Sequence, residues 1–173
     1  MARPPINKKK AGAGAVAVAA MLAIATPFVS GWEGTETKPY FDRFGNVWTV
    51  CTGETNVPMR EYTVAECHAM FGQSFKKYAL QVADLSPGIE DSPYEWAAHT
   101  SLAYNVGVGT YAKSSARRLY NEGRGVEACR SIRLYRKAGG KVLPGLVYRR
   151  EGEGSRIGEY ELCLAGAVPK EFG

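Results

Sequence analysis

The 173-residue sequence has only two histidines, His68 and His99, and no pair of closely spaced cysteines. A structural zinc site needs clustered ligands such as Cys-x-x-Cys, and neither histidine lies beside such a pair. We therefore expect no metal site. Acidic residues are absent before Glu33, although this same stretch carries four basic residues.

The distribution of charge excludes a second class of protein. The chain has 22 Lys and Arg against 17 Asp and Glu, and without the four N-terminal basic residues the balance is 18 against 17. A nucleic-acid-binding protein needs a basic face to replace the counterions of the phosphates. The nearly neutral body of this chain therefore argues against nucleic acid as a partner.

Residues 11–30 carry no charge and follow Lys8–Lys10. Twenty helical residues rise about 30 Å, the thickness of a bilayer core, and the lysines would stay on the cytoplasmic side. The segment is only weakly apolar, because eight of its residues are Ala and two are Gly. It is either a signal peptide cleaved near Ala23-Ile24-Ala25 or an anchor that later leaves the membrane. Both alternatives export the remaining chain.

Four cysteines lie in the exported part of the chain, which favours disulfides in an oxidising compartment. Four cysteines allow three pairings. Proximity in sequence favours Cys51 with Cys67 and Cys129 with Cys163, and the other two pairings stay open.

The order of local patterns predicts a small β element followed by a helical lobe, an α+β arrangement. Residues 38–56 are β-prone, with a turn at Gly45-Asn46. Capping patterns at Thr63 and Ser92 predict the starts of two helices, the first ending near Leu80 or Asp84. Further helices are predicted over 111–121, 126–137 and within 146–164, with residues 141–145 as a loop.

Two carboxyl side chains at the start of the body have the residue types that glycosidic cleavage requires. Glu33 would end a short apolar helix containing Phe28 and Trp32, and an aromatic surface beside a carboxyl raises its pKa and favours a proton donor. Asp42 lies in the polar hairpin and would stay ionised. One carboxyl protonates the leaving oxygen while the other stabilises positive charge or orients water, and Thr49 could hold that water.

These residues form a motif that resembles the phage-type lysozymes, glycoside hydrolase family 24. The matching residues are Glu33-Gly34, Tyr40-Phe41-Asp42, Gly45, Thr49 and Gly53. The family usually has five residues between the Asp and the Thr, and this chain has six. Residues 101–123 and 138–153 also resemble the family's cleft segment and its C-terminal part.

The resemblance implies a two-lobe α+β phage-lysozyme fold that cleaves the β-1,4 bond between N-acetylmuramic acid and N-acetylglucosamine in peptidoglycan, without a cofactor. It implies Glu33, Asp42 and Thr49 as catalytic residues, with Asn105 and Tyr40 as candidates for sugar binding. For Asn105 the competing interpretation is a helix C-cap. The two alternative functions are a lytic transglycosylase on the same fold and a secreted, non-catalytic wall-binding protein.

The N-terminal segment resembles the signal-arrest-release segments of some phage endolysins. This predicts a cytoplasmic tail (1–10), a weak signal anchor (11–31) and a catalytic domain (32–173). We expect a monomer that is held in the host inner membrane facing the periplasm, is then released, and acts with a phage holin. While the segment spans the bilayer, the helix leading to Glu33 cannot dock on the body.

Overall fold

The computed structural model describes residues 14–43 and 46–167. Within them the protein is mostly helical, with two small antiparallel sheets of two strands each. The helices are α1 (Ala15–Glu33), α2 (Val64–Leu85), α3 (Pro93–Val106), α4 (Val108–Ala112), α5 (Ser115–Asn121), α6 (Gly125–Ile132), α7 (Pro144–Glu151) and α8 (Glu159–Ala167). The strands are β1 (Glu36–Asp42), β2 (Val47–Cys51), β3 (Lys137–Ala138) and β4 (Lys141–Val142). The predicted α+β class is confirmed.

The first hairpin places alternate residues of β1 on opposite faces. Tyr40 pairs with Thr49 and Asp42 with Val47, so these four residues share one face, while Phe41 faces the other way. The predicted Gly45 turn position lies outside the described residues. Its neighbour Asn46 has a φ of 51°, a left-handed conformation that Asn tolerates better than most residues.

Both predicted capping patterns start helices. Thr63 and Glu66 make the two reciprocal bonds of a capping box at the start of α2. At α3 the Ser92 hydroxyl accepts from the Glu95 amide, and Pro93 occupies the first helical position.

Two predicted helices differ from the observed ones. The helix predicted over 111–121 is divided into α4 and α5, because Ser114 adopts an extended conformation and caps α5 through the Arg117 amide. The helix predicted over 126–137 ends at Ile132. Its last predicted residue, Lys137, instead begins the β3–β4 hairpin, whose turn is made by Gly139 and Gly140 at positive φ.

Helix α1 continues through the predicted boundary between residues 31 and 32. Val18, Met21, Ala25 and Val29 recur every three or four positions and are buried against the main core. By length and composition α1 could also cross a membrane. The predicted cytoplasmic tail, residues 1–10, lies outside the described part of the chain.

Two separate hydrophobic clusters stabilise the fold. The larger cluster joins α1, α2, α3 and the C-terminal helices, with Trp96 and Phe71 fully buried near its centre. The smaller cluster contains Val50, Cys51, Tyr62 and Cys67 beside the first hairpin. One disulfide, Cys51–Cys67, lies in the small cluster, and the other, Cys129–Cys163, joins α6 to α8. This is the pairing that sequence proximity favours.

Candidate active site

A cavity of about 340 Å³ opens between the first hairpin and helices α2 and α3. It is lined by Glu33, Glu36, Tyr40, Cys51, Thr52, Gly53, Tyr78 and Tyr104. The end of α1, the two strands of the hairpin and two helices of the main lobe therefore each contribute side chains or backbone to one polar site.

Glu33 reaches this cavity because α1 ends there. Gly34 follows with a φ of 77°, and its amide still donates to the Ser30 carbonyl, which terminates the helix. The Glu33 side chain keeps 33% of its surface exposed, and its carboxylate accepts a hydrogen bond from Nη1 of Arg149. The carboxylate is thus both accessible to a substrate and fixed by an ion pair from α7.

Arg149 is held in turn by buried partners. Its Nε donates to Glu159 Oε1 at 3.0 Å and its Nη2 to the Ser101 hydroxyl at 3.2 Å. Ser101 also donates to Glu159 Oε1 at 2.6 Å. Burial alone would lower the pKa of Arg149, but the charges of Glu159 and Glu33 outweigh burial and raise it. The guanidinium that contacts Glu33 is therefore positively charged and rigidly placed.

A second arginine completes the network. Arg150 is fully buried and donates to Glu159 Oε2 at 2.5 Å, to the Tyr135 carbonyl at 2.9 Å and to Asn105 Oδ1 at 2.5 Å. Arg149 and Arg150 together carry two positive charges, which Glu159 and Glu33 balance. Because an unpaired buried charge is strongly destabilising, the balance couples Glu33 to the interior of the main lobe.

Reasoning from sequence missed Arg149, Arg150 and Glu159. The contact between Arg149 and Glu33 joins residues 116 positions apart, so no local spacing indicates it. The adjacent arginines are not a specific signal either, because the chain has a second such pair, Arg117-Arg118, that is not part of this network.

The environment expected for Glu33 was wrong in one respect. The expected aromatic neighbour, Trp32, points away: its indole donates to the Ile157 carbonyl at 3.2 Å, and Arg156 lies 4.4 Å from the ring centroid. The Glu33 carboxylate instead contacts the guanidinium of Arg149.

Tyr40 and Asp42 lie on the hairpin side of the site. The pKa of Tyr40 is raised, first by partial burial and then by the negative charges of Asp42, Glu36 and Glu33. The charges of both predicted catalytic carboxyls therefore act on the Tyr40 phenol, and Tyr40 and Glu33 both line the cavity.

Asp42, Thr49 and Asn105 are not among the residues that line the cavity. Thr49 is buried, and its hydroxyl donates to the Val47 carbonyl of its own strand at 3.3 Å. Asn105 is exposed, but its side-chain oxygen accepts from Arg150, and Gly107 rather than Asn105 caps α3. Among residues 14–43 and 46–167 no group of three His, Cys, Asp or Glu side chains could hold a metal ion.

Comparison of the sequence with known protein families assigns the chain that carries this site. The model of the family described as phage lysozyme matches residues 30–153, which include both candidate carboxyls and Arg149. The chain belongs to the phage lysozyme family.

Relatives that match over most of both chains support this assignment. This chain is 38% identical over 160 residues to the SAR-endolysin of Enterobacteria phage P21, and the match covers 90% of this chain and 91% of that protein. It is 39% identical to the SAR-endolysin of Bacteriophage PS119, covering 88% and 89%.

Solved structures share the fold. This lysozyme matches the active form of the P1 phage endolysin Lyz with a TM-score of 0.70 at 22% identity, over 89% of this chain and 97% of the other. It also matches the muramidase domain of SpmX from Asticaccaulis excentricus with a TM-score of 0.69 at 21% identity, over 82% and 95%.

Proposed function

We propose that this phage lysozyme is an endolysin that hydrolyses the β-1,4 bond between N-acetylmuramic acid and N-acetylglucosamine in peptidoglycan. The family assignment and the names of its relatives support a muralytic enzyme. The observation that carries the proposal is the Glu33 carboxylate, which lies on a polar cavity between the lobes and is fixed there by Arg149.

In this proposal Glu33 protonates the oxygen of the leaving sugar. A general acid must be held within hydrogen-bond reach of that oxygen, and the ion pair with Arg149 restricts the carboxyl to one orientation. Asp42, two residues beyond Tyr40 on the same face of β1, stabilises the positive charge that develops on the sugar ring or activates water. Tyr40 shares the face of β1 with Asp42 and lines the cavity, which favours a contact with the sugar.

Two further roles rest on the family resemblance. Thr49 orients water in the proposal, although its hydroxyl hydrogen is bonded to Val47, so water would have to donate to the hydroxyl oxygen. Asn105 would bind sugar through its side-chain amide, since its oxygen is occupied by Arg150.

Replacing Glu33 tests the assignment directly. Glu33→Gln preserves side-chain size but removes the acidic proton, and we expect release of reducing ends from purified peptidoglycan to fall at least about a hundredfold. Glu36→Gln is the matched control, because Glu36 lines the same cavity and should leave activity within a few fold. Full activity of a folded Glu33→Gln protein, checked by circular dichroism, would end the assignment.

The products released from peptidoglycan distinguish hydrolysis from the two alternative functions. A hydrolase releases a reducing sugar for each bond that it cuts. A lytic transglycosylase cyclises the new end instead, so it releases fragments without reducing sugar, and a wall-binding protein releases no fragments. Mass spectrometry of the soluble fragments distinguishes the three outcomes.

The proposal includes tethering by α1 before release. Helix α1 is long and apolar enough to span a bilayer, and the SAR-endolysin relatives support an anchored and later released periplasmic enzyme. While α1 is in the membrane, Val18, Met21 and Ala25 cannot pack in the core and Glu33 cannot reach Arg149. In this state the enzyme would be inactive. The predicted tail (1–10), anchor (11–31) and catalytic domain (32–173) describe this tethered form.

Fractionation combined with mass measurement tests tethering. Collapse of the membrane potential should move the full-length chain from the membrane to the soluble fraction. A soluble chain that begins near Thr26 would instead show a cleaved signal peptide. Monomeric action together with a phage holin stays a prediction from the family resemblance.

A further inference from the structure

A stretch of the helical lobe has basic residues and no acidic ones. Between Glu127 and Glu151 the chain contains seven Lys and Arg and no Asp or Glu. Two of the seven, Arg149 and Arg150, are buried in the network beside Glu33, and the other five are exposed. The catalytic arrangement therefore explains the buried pair but not the exposed residues.

The fold places four of these five exposed cations in one short segment, where Lys137 and Val142 lie on one side of a small hairpin and Lys141 on the other. Residues 133–143, here called the basic hairpin surface, turn back at Gly139-Gly140 so that Lys137 pairs with Val142. The Leu143 amide also donates to the Arg136 carbonyl at 3.1 Å, which closes the base of the hairpin.

Apolar side chains on this surface are also exposed. Leu134 is 67% exposed, Val142 49% and Leu143 41%. Tyr148, in the following helix α7, is 42% exposed. These exposed apolar side chains lie in or beside the same short segment as the cations, a combination that favours a binding surface.

The charges of the surface are only partly neutralised within the protein. Arg133 and Arg136 share one carboxylate, Glu151, at 3.3 and 3.8 Å. Lys137 and Lys141 make no ion pair with a described residue. The surface thus keeps a clear positive excess beside its exposed apolar side chains.

We propose that the basic hairpin surface docks on anionic phospholipid membranes, independently of helix α1. Cations at such a surface are attracted to the headgroups, while Leu134, Val142 and Leu143 can enter the interfacial layer. A neutral glycan would not neutralise the excess positive charge. An acidic wall polymer would neutralise the charge but would not cover the exposed apolar side chains. This docking would keep the released enzyme close to the membrane, and it does not depend on how the catalytic site works.

Vesicle binding by the full chain tests the proposal. We compare vesicles containing phosphatidylglycerol with neutral phosphatidylcholine vesicles, because α1 contributes apolar binding to both. The double variant Lys137→Glu/Lys141→Glu should weaken binding to the anionic vesicles at least about tenfold, since each Lys near an anionic surface contributes about fivefold in affinity. Binding to neutral vesicles should not change.

The matched control is Lys76→Glu/Lys77→Glu, which makes the same change in net charge at exposed positions of α2. It should retain most of the affinity for anionic vesicles. Equal loss in both double variants would overturn the proposal, because the attraction would then come from net charge alone. Both variants should keep lysozyme activity on soluble peptidoglycan fragments, which shows that they fold.

Two further measurements complete the test. Leu134→Ser/Val142→Ser should lower the affinity for anionic vesicles at high salt, where apolar contacts dominate, and unchanged affinity would overturn the apolar part of the proposal. Cosedimentation with purified, lipid-free cell wall should be the same for wild type and Lys137→Glu/Lys141→Glu. Loss of wall binding with intact vesicle binding would identify an acidic wall polymer as the partner and overturn membrane docking.

Discussion

The helical lobe and the hairpin lobe hold their sides of the cavity by different means. The helical lobe buries a continuous apolar core and an ionic network around Glu159. Among the described residues, the hairpin lobe has a cluster of four buried residues, which includes the Cys51–Cys67 disulfide. It is also joined to α3 by the hydrogen bond from the Tyr104 hydroxyl to the Thr52 carbonyl at 3.1 Å.

This difference determines whether a substitution in each half of the site should lower stability, activity or both. Glu33 depends on buried charges, so damage to that network should lower both stability and activity. Asp42 and Tyr40 depend on a small lobe with little apolar burial, so damage there should lower activity more than global stability.

Removing the charge of Glu159 should have the largest effect on stability. Glu159→Gln leaves Arg149 and Arg150 with reduced compensation in a buried site, and we expect the free energy of unfolding to fall by about 3–5 kcal/mol. The control is Glu151→Gln, which breaks partly exposed ion pairs and should cost less than about 1 kcal/mol. Denaturant unfolding measures both variants, and equal losses would contradict the role of burial.

Removing each disulfide in turn compares the two lobes directly. The Cys51–Cys67 disulfide spans 16 residues and Cys129–Cys163 spans 34. Loop entropy gives losses of about 3 and 4 kcal/mol for the two double alanine variants. The loss of activity should follow the opposite order to the loss of stability, because Cys51 lines the cavity. We expect the folded Cys51/Cys67 variant to be less active than the folded Cys129/Cys163 variant, measured at a temperature where both are folded.

The core histidine gives the helical lobe a dependence on pH. Burial lowers the pKa of His99 to about 4, and its Nδ1 lies 2.9 Å from the Tyr111 hydroxyl. An unfolded histidine titrates near 6.5, so below that pH the unfolded chain binds more protons and the native state loses stability. The loss should grow as the pH falls to 4 and reach roughly 3 kcal/mol.

Replacing His99 separates its contribution to the pH dependence of stability from that of carboxyl groups, which titrate at lower pH. His99→Gln should flatten the fall in unfolding free energy between pH 6.5 and 4, whatever its own stability at pH 7. Unfolding measured at several pH values for both proteins gives the difference in slope. Parallel curves would show that His99 is not the group responsible.

Much of the fold could be predicted because its signals are local. The capping residues Thr63 and Ser92 and the β-prone composition of residues 38–56 indicate these elements without knowledge of tertiary contacts. The break at Ser114 was missed because a capping serine inside an apolar helical pattern resembles an ordinary helical residue. Lys137 was misplaced because the glycines that stop the helix lie two residues further along.

The candidate site likewise contains residues that local sequence indicates and residues that only tertiary packing brings together. Glu33, Asp42 and Tyr40 lie within ten residues of one another, so a short motif could indicate them. Arg149, Glu159 and Ser101 come together only through packing of α3, α7 and α8, and no sequence spacing encodes those contacts. The residues predicted to do chemistry were therefore local, and those that hold them in place were not.

The smallest expected effect is at the contact that joins the lobes. Burial, followed by the charge of Glu33, raises the pKa of Tyr104 to about 12, so its hydroxyl stays protonated and donates to Thr52 at any working pH. Tyr104→Phe should cost about 1 kcal/mol of stability and lower activity by a few fold, because the hairpin side of the cavity becomes less fixed. Tyr78→Phe is the control: Tyr78 packs edge-on against Tyr104 in the same cavity, and its hydroxyl makes no hydrogen bond with a described residue. If both variants change kcat and KM equally, the hydrogen bond between the lobes does not position the site.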